Sequence, residues 1–406
     1  MSDNISSSDR YEVGLAFLRQ IGGENYDGTI NAIAETSPDF ARFVVEYPYG
    51  DVLSRPQLDI VTREAVTVAS LMVQGSYPLP INYHLNGFLN VGGSPEALVE
   101  LCFLAIACLG FPASIDTIGL IRGTFKDREI SFDPIPATDD DGTERRLQGL
   151  RNLAMHGEDG IAKVEELTRT SPVFAQLFVE FAHGEILTRD GLDAKSKHLS
   201  LLSMLAGMGN QHDWLRDHTL TALRQGVTRD EIVEAMIQLS VYSGFPAAIV
   251  GFFDIVSMFN DIDAGTVSLE VAAFEGEAEP SETRSERFVR GEATLALTSG
   301  GAGMAVVESF RPIAPEIGRM ILEHSYGDIF NRDGIDLKTR ELAAVSAMAA
   351  VGSKTAEVPM QVHVRAAMNV GATQEEVVET LLNLVPYVGY PKVERALYLA
   401  NEVFTG

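Results

Sequence analysis

The sequence predicts an all-α fold written as three tandem helical repeats, and three observations carry that reading. The first is a set of fixed steps that occurs three times. Gly50, Gly184 and Gly327 each stand nine residues before Asp59, Asp193 and Asp336, and five residues further on come Glu64, His198 and Glu341. A histidine follows 20, 20 and 22 residues later, at His84, His218 and His363. Eight more reach Gly92, Gly226 and Gly371, and another 18 reach Gly110, Gly244 and Gly389. Self-similarity at a period of 134 to 145 residues is one domain repeated three times. The second observation is that apolar residues recur at helical spacing, as at Leu15, Leu18 and Ile21. The third is that no stretch alternates apolar and polar residues as a half-buried strand would.

Composition narrows the partners. In 406 residues there are 31 basic and 57 acidic side chains, a net charge of −26 that repels nucleic-acid phosphates and anionic membranes. The start, Met1-Ser2-Asp3-Asn4, lacks the basic and apolar regions of a secretory signal, and the most apolar stretch, 101–115, is broken by Gly110 and Pro112. Cys102 and Cys108 are the only cysteines; six residues apart, they fall on different faces of a helix, so no disulfide framework is expected. A cytoplasmic protein acting on a small molecule, with neither nucleic acid nor membrane as partner, fits these features.

In chain order, residues 1–9 form a polar, Ser-rich tail. Repeat 1 spans 10–127, a linker 128–144, repeat 2 145–260, a second, acidic linker 261–285, and repeat 3 286–404. Each repeat opens with two or three helices, the third of which runs from about Asp39 to Tyr49 in repeat 1; Arg145–Gly149 and Arg287–Gly291 are the matching openings. Asp59, Asp193 and Asp336 then suit the N-cap of an apolar helix, where a carboxylate accepts from a free backbone amide. A loop leads to the histidine helix, which stops at its glycine. The next helix opens with the capping-box pairs Thr228/Glu231 and Thr373/Glu376, and with Ser94-Pro95 in repeat 1. Pro134, Pro136 and Asp139-Asp140-Asp141 mark the first linker; a run of acids with Pro280-Ser281 marks the second.

Neighbours at three and four residues share a helix face, so Glu64 lies beside Ile60, Val61, Val68 and Leu71, and Glu341 beside Leu337, Val345 and Met348. His84 and His363 sit on apolar stripes in the same way. A carboxylate and an imidazole that project from adjacent helices into apolar space can form an acid/base pair, because burial and ion pairing oppose each other in setting protonation. The alternative is a structural ion pair that holds two helices in register. Arg63 and Arg340 point about 100° away from the glutamates and read as salt-bridging surface or interface residues, with substrate binding as the lesser option. His198, His212 and His218 could hold a metal; otherwise His198 and His218 share a hydrogen bond while His212 is solvated beside Asp213. Trp214 lines a pocket or packs. His183 stands where Tyr49 and Tyr326 do and packs or hydrogen-bonds in their place. His156 and His324 show no partner at helical spacing.

The run Thr339-Arg340-Glu341-Leu342-Ala343, followed by His363, Ala367, Asn369, Gly371-Ala372-Thr373, Glu376, Tyr387, Gly389 and Pro391, resembles the carboxymuconolactone decarboxylase family, whose fold alkylhydroperoxidase D shares. The likeness covers nearly the whole chain outside the linkers. It implies Glu64 and Glu341 as acid/base carboxylates, His84 and His363 as their imidazoles, and His198 with His218 as the degenerate pair of repeat 2, where Lys197 also replaces the arginine. Cys108 takes the position of Tyr242 and Tyr387. The peroxidase branch carries Cys-x-x-Cys seven and four residues before the histidine; Tyr77 and Pro80, Gln211 and Trp214, and Ala356 and Pro359 stand there, so thiol-dependent peroxide reduction is excluded.

The resemblance further implies a pseudo-threefold arrangement of the repeats in a homodimer, with no metal or other cofactor. The expected function is a cofactor-independent lyase that decarboxylates a small lactone or keto-type acid. Glu64, His84, Glu341, His363, His198 and His218 are its candidate catalytic residues, and Arg63, Arg340, Tyr242, Tyr387 and Trp214 its candidate substrate contacts. A cyclase, isomerase or dehydratase using the same residues, or a silent scaffold, are the alternatives.

Overall fold

The computed structural model describes residues 7–75, 78–134, 142–271, 274–278 and 280–406, and among them it contains helices and turns but no strand. Most of the polar tail, Tyr77, Pro136 and the run Asp139-Asp140-Asp141 lie outside the described residues. Each repeat uses one series of elements. In the first these are Ser7–Gly22, Gly28–Thr36, Pro38–Val44, a wide π-helical stretch Val45–Leu53, the carboxylate helix Ile60–Val73, the histidine helix Pro78–Asn90, then Pro95–Leu109 and Phe111–Asp127. The helix expected to run to Tyr49 thus widens at Val45.

That widening recurs at Phe178–Ile186 and Ile321–Phe330. It lets the first helix of each repeat cross it at backbone contact: a Cβ on Gly291 would lie 1.9 Å from the Leu322 carbonyl oxygen, and one on Gly50 would lie 2.5 Å from that of Arg10. Charge fixes the same crossing, with Arg10 on Asp51 (2.7 Å) and Arg287 on Asp328 (2.5 Å). The predicted caps form. Asp59, Asp193 and Asp336 accept from the amides of Thr62, Ser196 and Thr339 at 2.9–3.0 Å, and Thr228/Glu231 and Thr373/Glu376 close capping boxes. The long apolar helix Gly244–Asp263 is tied to its neighbours by Arg216–Asp261 (2.6 Å) and Arg229–Asp263 (2.7 Å).

The chain divides into two units. One holds 1–110, 119–130 and 148–276, which is most of repeats 1 and 2; the other holds 111–118, 131–147 and 277–406, which contains repeat 3. Within the first unit the carboxylate helices Ile60–Val73 and Ala194–Met208 pack together. Arg55 of repeat 1 forms an ion pair with Glu234 of repeat 2 at 2.6 Å, and Arg189 of repeat 2 does so with Glu100 of repeat 1 at 2.6 Å. Arg189 stands where Arg55 does in the repeat, and Glu234 where Glu100 does. The buried hydroxyls of Thr62 and Ser196, also equivalent, meet 3.5 Å apart. Reciprocal pairs around one self-equivalent contact define a local twofold. The relation between repeats 1 and 2 is therefore twofold, where the resemblance implied a threefold.

Of the two placements expected for Arg63, surface or interface, it takes the interface with repeat 2, as the largest fully buried side chain among the described residues. Its guanidinium bonds Glu234 at 3.0 Å, Gln238 at 3.1 Å and the Arg55 carbonyl at 2.7 Å. The equivalent Lys197 bonds the Arg189 carbonyl. The two halves of the twofold are thus unequal in chemistry, because only Glu234 neutralises a second, buried cation. Glu234→Ala should cost about 3–5 kcal/mol by stranding Arg63, whereas Glu100→Ala, which strands only the part-exposed Arg189, should cost about 1 kcal/mol. Urea unfolding of the two variants would read that ratio directly.

Candidate active site

Glu64, on the carboxylate helix, is fully buried, and His84, on the histidine helix, is nearly so. Nδ1 of His84 donates to Oε2 of Glu64 at 2.9 Å, while Oε1 of Glu64 has no hydrogen-bond partner. Repeat 3 reproduces the arrangement. Nδ1 of His363 donates to Oε2 of the fully buried Glu341 at 2.7 Å, and Oε1 of Glu341 is again unpartnered. An unmet buried acceptor costs about 1–3 kcal/mol, a cost that a donor on a bound molecule would relieve.

His84 opens onto a cavity of about 230 Å³ within the first unit. Its other walls include Leu18, Ile30, Val44, Tyr49, Tyr83 and Tyr242, and no lysine or arginine lines it among the described residues. Tyr242 comes from repeat 2 across the local twofold; its ring meets His84 edge-on at 5.6 Å between centroids, and Tyr83 does so at 5.2 Å. Burial, reinforced by the Glu64 charge, pushes the hydroxyls of Tyr83 and Tyr242 well up, so they remain donors. In repeat 3, Phe330 stacks on His363 at 6.0 Å, and burial with Glu341 nearby raises Tyr326.

The remaining candidates fall elsewhere. Arg63, offered as a substrate contact, faces Glu234 and is absent from the cavity wall. Arg340 bonds the Arg332 carbonyl at 2.8 Å, and Tyr387 is 80% exposed. His198 and His218 do not share a hydrogen bond: Nδ1 of His198 and both ring nitrogens of His218 are buried and unpartnered. His212 is at the surface, solvated as expected, and pairs with Asp254 at 2.9 Å. The proposed trio does not converge, and among the described residues no group of three metal-ligating side chains could hold an ion. Cys102 and Cys108 are free thiols, raised by burial, Cys108 to about 12.

What the sequence did not reveal is a histidine cluster in repeat 2. His156 meets His218 at 4.7 Å and His183 at 5.1 Å, with Trp214 5.4 Å from His218, so Trp214 packs here and does not line the cavity. His183 also bonds Asn152 at 2.8 Å, as its substitution for tyrosine suggested. His156 reaches Asp217 at 3.8 Å, a partner far off in sequence. His324 has one at helical spacing after all, Asp328 at 3.5 Å. Tyr49 and Tyr83 were also missed as site residues. Tyr49 carried a clue, since it precedes the repeated glycine, as His183 and Tyr326 do.

Three stretches, 38–122, 172–253 and 315–402, match the carboxymuconolactone decarboxylase family. The chain belongs to that family. It is 29% identical to the 4-carboxymuconolactone decarboxylase of Acinetobacter baylyi over 128 residues, 31% of this chain and 95% of that one. Identity is 34% over 113 residues to a nitrosuccinic acid decarboxylase of Metarhizium robertsii, covering 26% of this chain and 77% of that one. It is also 34% over 98 residues to an uncharacterized 15.0 kDa protein of Paracoccus denitrificans, covering 24% and 72%. Each relative is therefore about the length of one repeat, and this family member carries three.

The cluster gives repeat 2 an acid-labile core. Burial, with Lys197 nearby, pushes His198 down to about 4, and burial pushes His183 and His218 well below 6.5. Unfolding frees these imidazoles to take up protons, so the stability they contribute is complete above pH 6.5 and is lost as pH falls from there toward 4. The urea midpoint should drop between about pH 7.5 and about pH 5, and the drop should shrink in His198→Leu.

Proposed function

We propose that this family member is a decarboxylase that works through Glu64–His84 and Glu341–His363, with the protein's own side chains as acid and base. The observation that carries the reading is the buried carboxylate with one oxygen on the histidine and the other unmet, present twice at equivalent positions. Two of its relatives are decarboxylases by name, which supports the same class of chemistry.

With Nδ1 committed to the glutamate, Nε2 is the nitrogen left for substrate. A carboxylate borne on the carbon α to a ketone or lactone carbonyl loses carbon dioxide as the electrons of its C–C bond pass into an enolate. The imidazolium then delivers its Nε2 proton to the new carbanion carbon, and the glutamate stabilises the imidazolium until that moment. Tyrosine hydroxyls around His84 can donate to the developing enolate oxygen. The imidazole regains its proton from water.

The cavity walls favour a substrate with one carboxylate on an apolar body, because a dianion would meet no lysine or arginine there. The same observation favours the second reading: a cyclase, isomerase or dehydratase that uses the pair on a larger apolar intermediate without loss of carbon dioxide.

Purified protein should release carbon dioxide from small β-keto or lactone acids, faster from a monocarboxylate than from 4-carboxymuconolactone. Glu64→Gln with Glu341→Gln should lower turnover about 10²- to 10⁴-fold with folding intact. Solvent deuterium entering substrate without carbon dioxide release would favour the second reading, and neither activity from folded protein would leave a binding scaffold.

A further inference from the structure

Repeat 3 carries the pairing face that joins repeats 1 and 2, and in this chain that face is uncovered. Arg332 stands where Arg55 and Arg189 do, Glu379 where Glu100 and Glu234 do, and Thr339 where Thr62 and Ser196 meet on the local twofold. The local geometry is kept too: Arg340 bonds the Arg332 carbonyl as Arg63 bonds that of Arg55. Yet Arg332, Thr339 and Glu379 are exposed, while Thr62, Ser196 and Glu234 are buried, and neither Arg332 nor Glu379 has an ion-pair partner among the described residues. Leu382 beside them is 44% exposed, whereas the equivalent Phe103 is 3% exposed and lies against Arg189.

We infer that this face pairs with the same face of a second copy of the chain across a true twofold. One Arg332 meets the partner's Glu379 and the reciprocal pair forms by symmetry, so the face is complementary to itself in charge. Pairing by twos leaves one of three repeats over, and a second copy supplies the only other face of matching chemistry. The pairing stands whatever reaction the sites perform.

A consequence concerns the Glu341–His363 site. In the first unit, Tyr242 reaches His84 from the other repeat of the pair. Tyr387 is its equivalent, 80% exposed on the single turn Val385–Val388 that Pro386 detaches from the helix before it. Across the proposed interface the partner's Tyr387 reaches His363, and each third-repeat site is completed by the other protomer. The residue set agrees. Repeat 1 keeps Glu and His but has Cys108 at the tyrosine position, and repeat 2 keeps Tyr242 but has lost the glutamate. Repeat 3 keeps all three, as a repeat that pairs with itself requires.

Sedimentation of the full chain at micromolar concentration tests the pairing. The intact protein should be a dimer, Arg332→Glu and Glu379→Arg should each be monomeric, and the double variant, with both charges exchanged, should dimerise again. Thr339→Cys should form an intermolecular disulfide under mild oxidation, since the equivalent hydroxyls lie 3.5 Å apart in the first unit. The native Cys102 and Cys108 provide the control, because the unsubstituted chain should not cross-link. A monomeric intact chain, or a dimer that survives Arg332→Glu with no Thr339→Cys cross-link, would overturn the inference.

Discussion

The first unit depends on the contact of two equivalent helices across a local twofold. Ile60–Val73 and Ala194–Met208 carry the buried ends of both site halves, and the contact leaves Thr62 and Ser196 hydroxyl to hydroxyl at its centre. Long side chains there would hold the helices apart. Short ones let Arg55 and Glu234, and Arg189 and Glu100, close on either side. Such pairs, partly or wholly removed from water, hold register more than they add stability: attraction offsets desolvation only when each charge finds its partner. The register they set brings Tyr242 to His84.

The buried carboxylate is the second constraint. Glu64 and Glu341 are fully buried on helices that present apolar neighbours on the same face, and each receives a single hydrogen bond. Folding around an acceptor left half satisfied costs stability at two places in one chain. Proteins tolerate such a cost where a bound molecule can supply the missing donor, and the cavity beside His84 is where one would arrive.

Much of this was legible in the sequence because it is periodic. The triplicate steps located the carboxylate and histidine helices, and the caps at Asp59, Asp193 and Asp336 placed their starts. Pairing of Glu64 with His84 followed from facing apolar stripes. What stayed hidden has no period. Arg63 sits one residue from Glu64 and reads as a salt-bridging residue of the surface or an interface, but its partner Glu234 lies far along the chain and no spacing points to it. His156 joins His183 and His218 only because a separate helix brings it in. The twofold itself could not be read, since a repeat in sequence says that units are alike and not which symmetry relates them.

That symmetry also orders the differences between repeats 1 and 2. Two equivalent positions flank the contact, each built from the glutamate and histidine positions of one repeat and the tyrosine position of the other. Site one takes Glu64 and His84 from repeat 1 and Tyr242 from repeat 2. Site two would take His198 and His218 with Cys108, and it has lost both the carboxylate and the phenol. The losses sit in different repeats but on one site. That position holds His183 and His218 packed on Trp214, with both ring nitrogens of His218 and Nδ1 of His198 buried and unpartnered. Repeat 2 furnishes Tyr242 to the cavity and Glu234 to Arg63, while the Glu64–His84 pair comes from repeat 1.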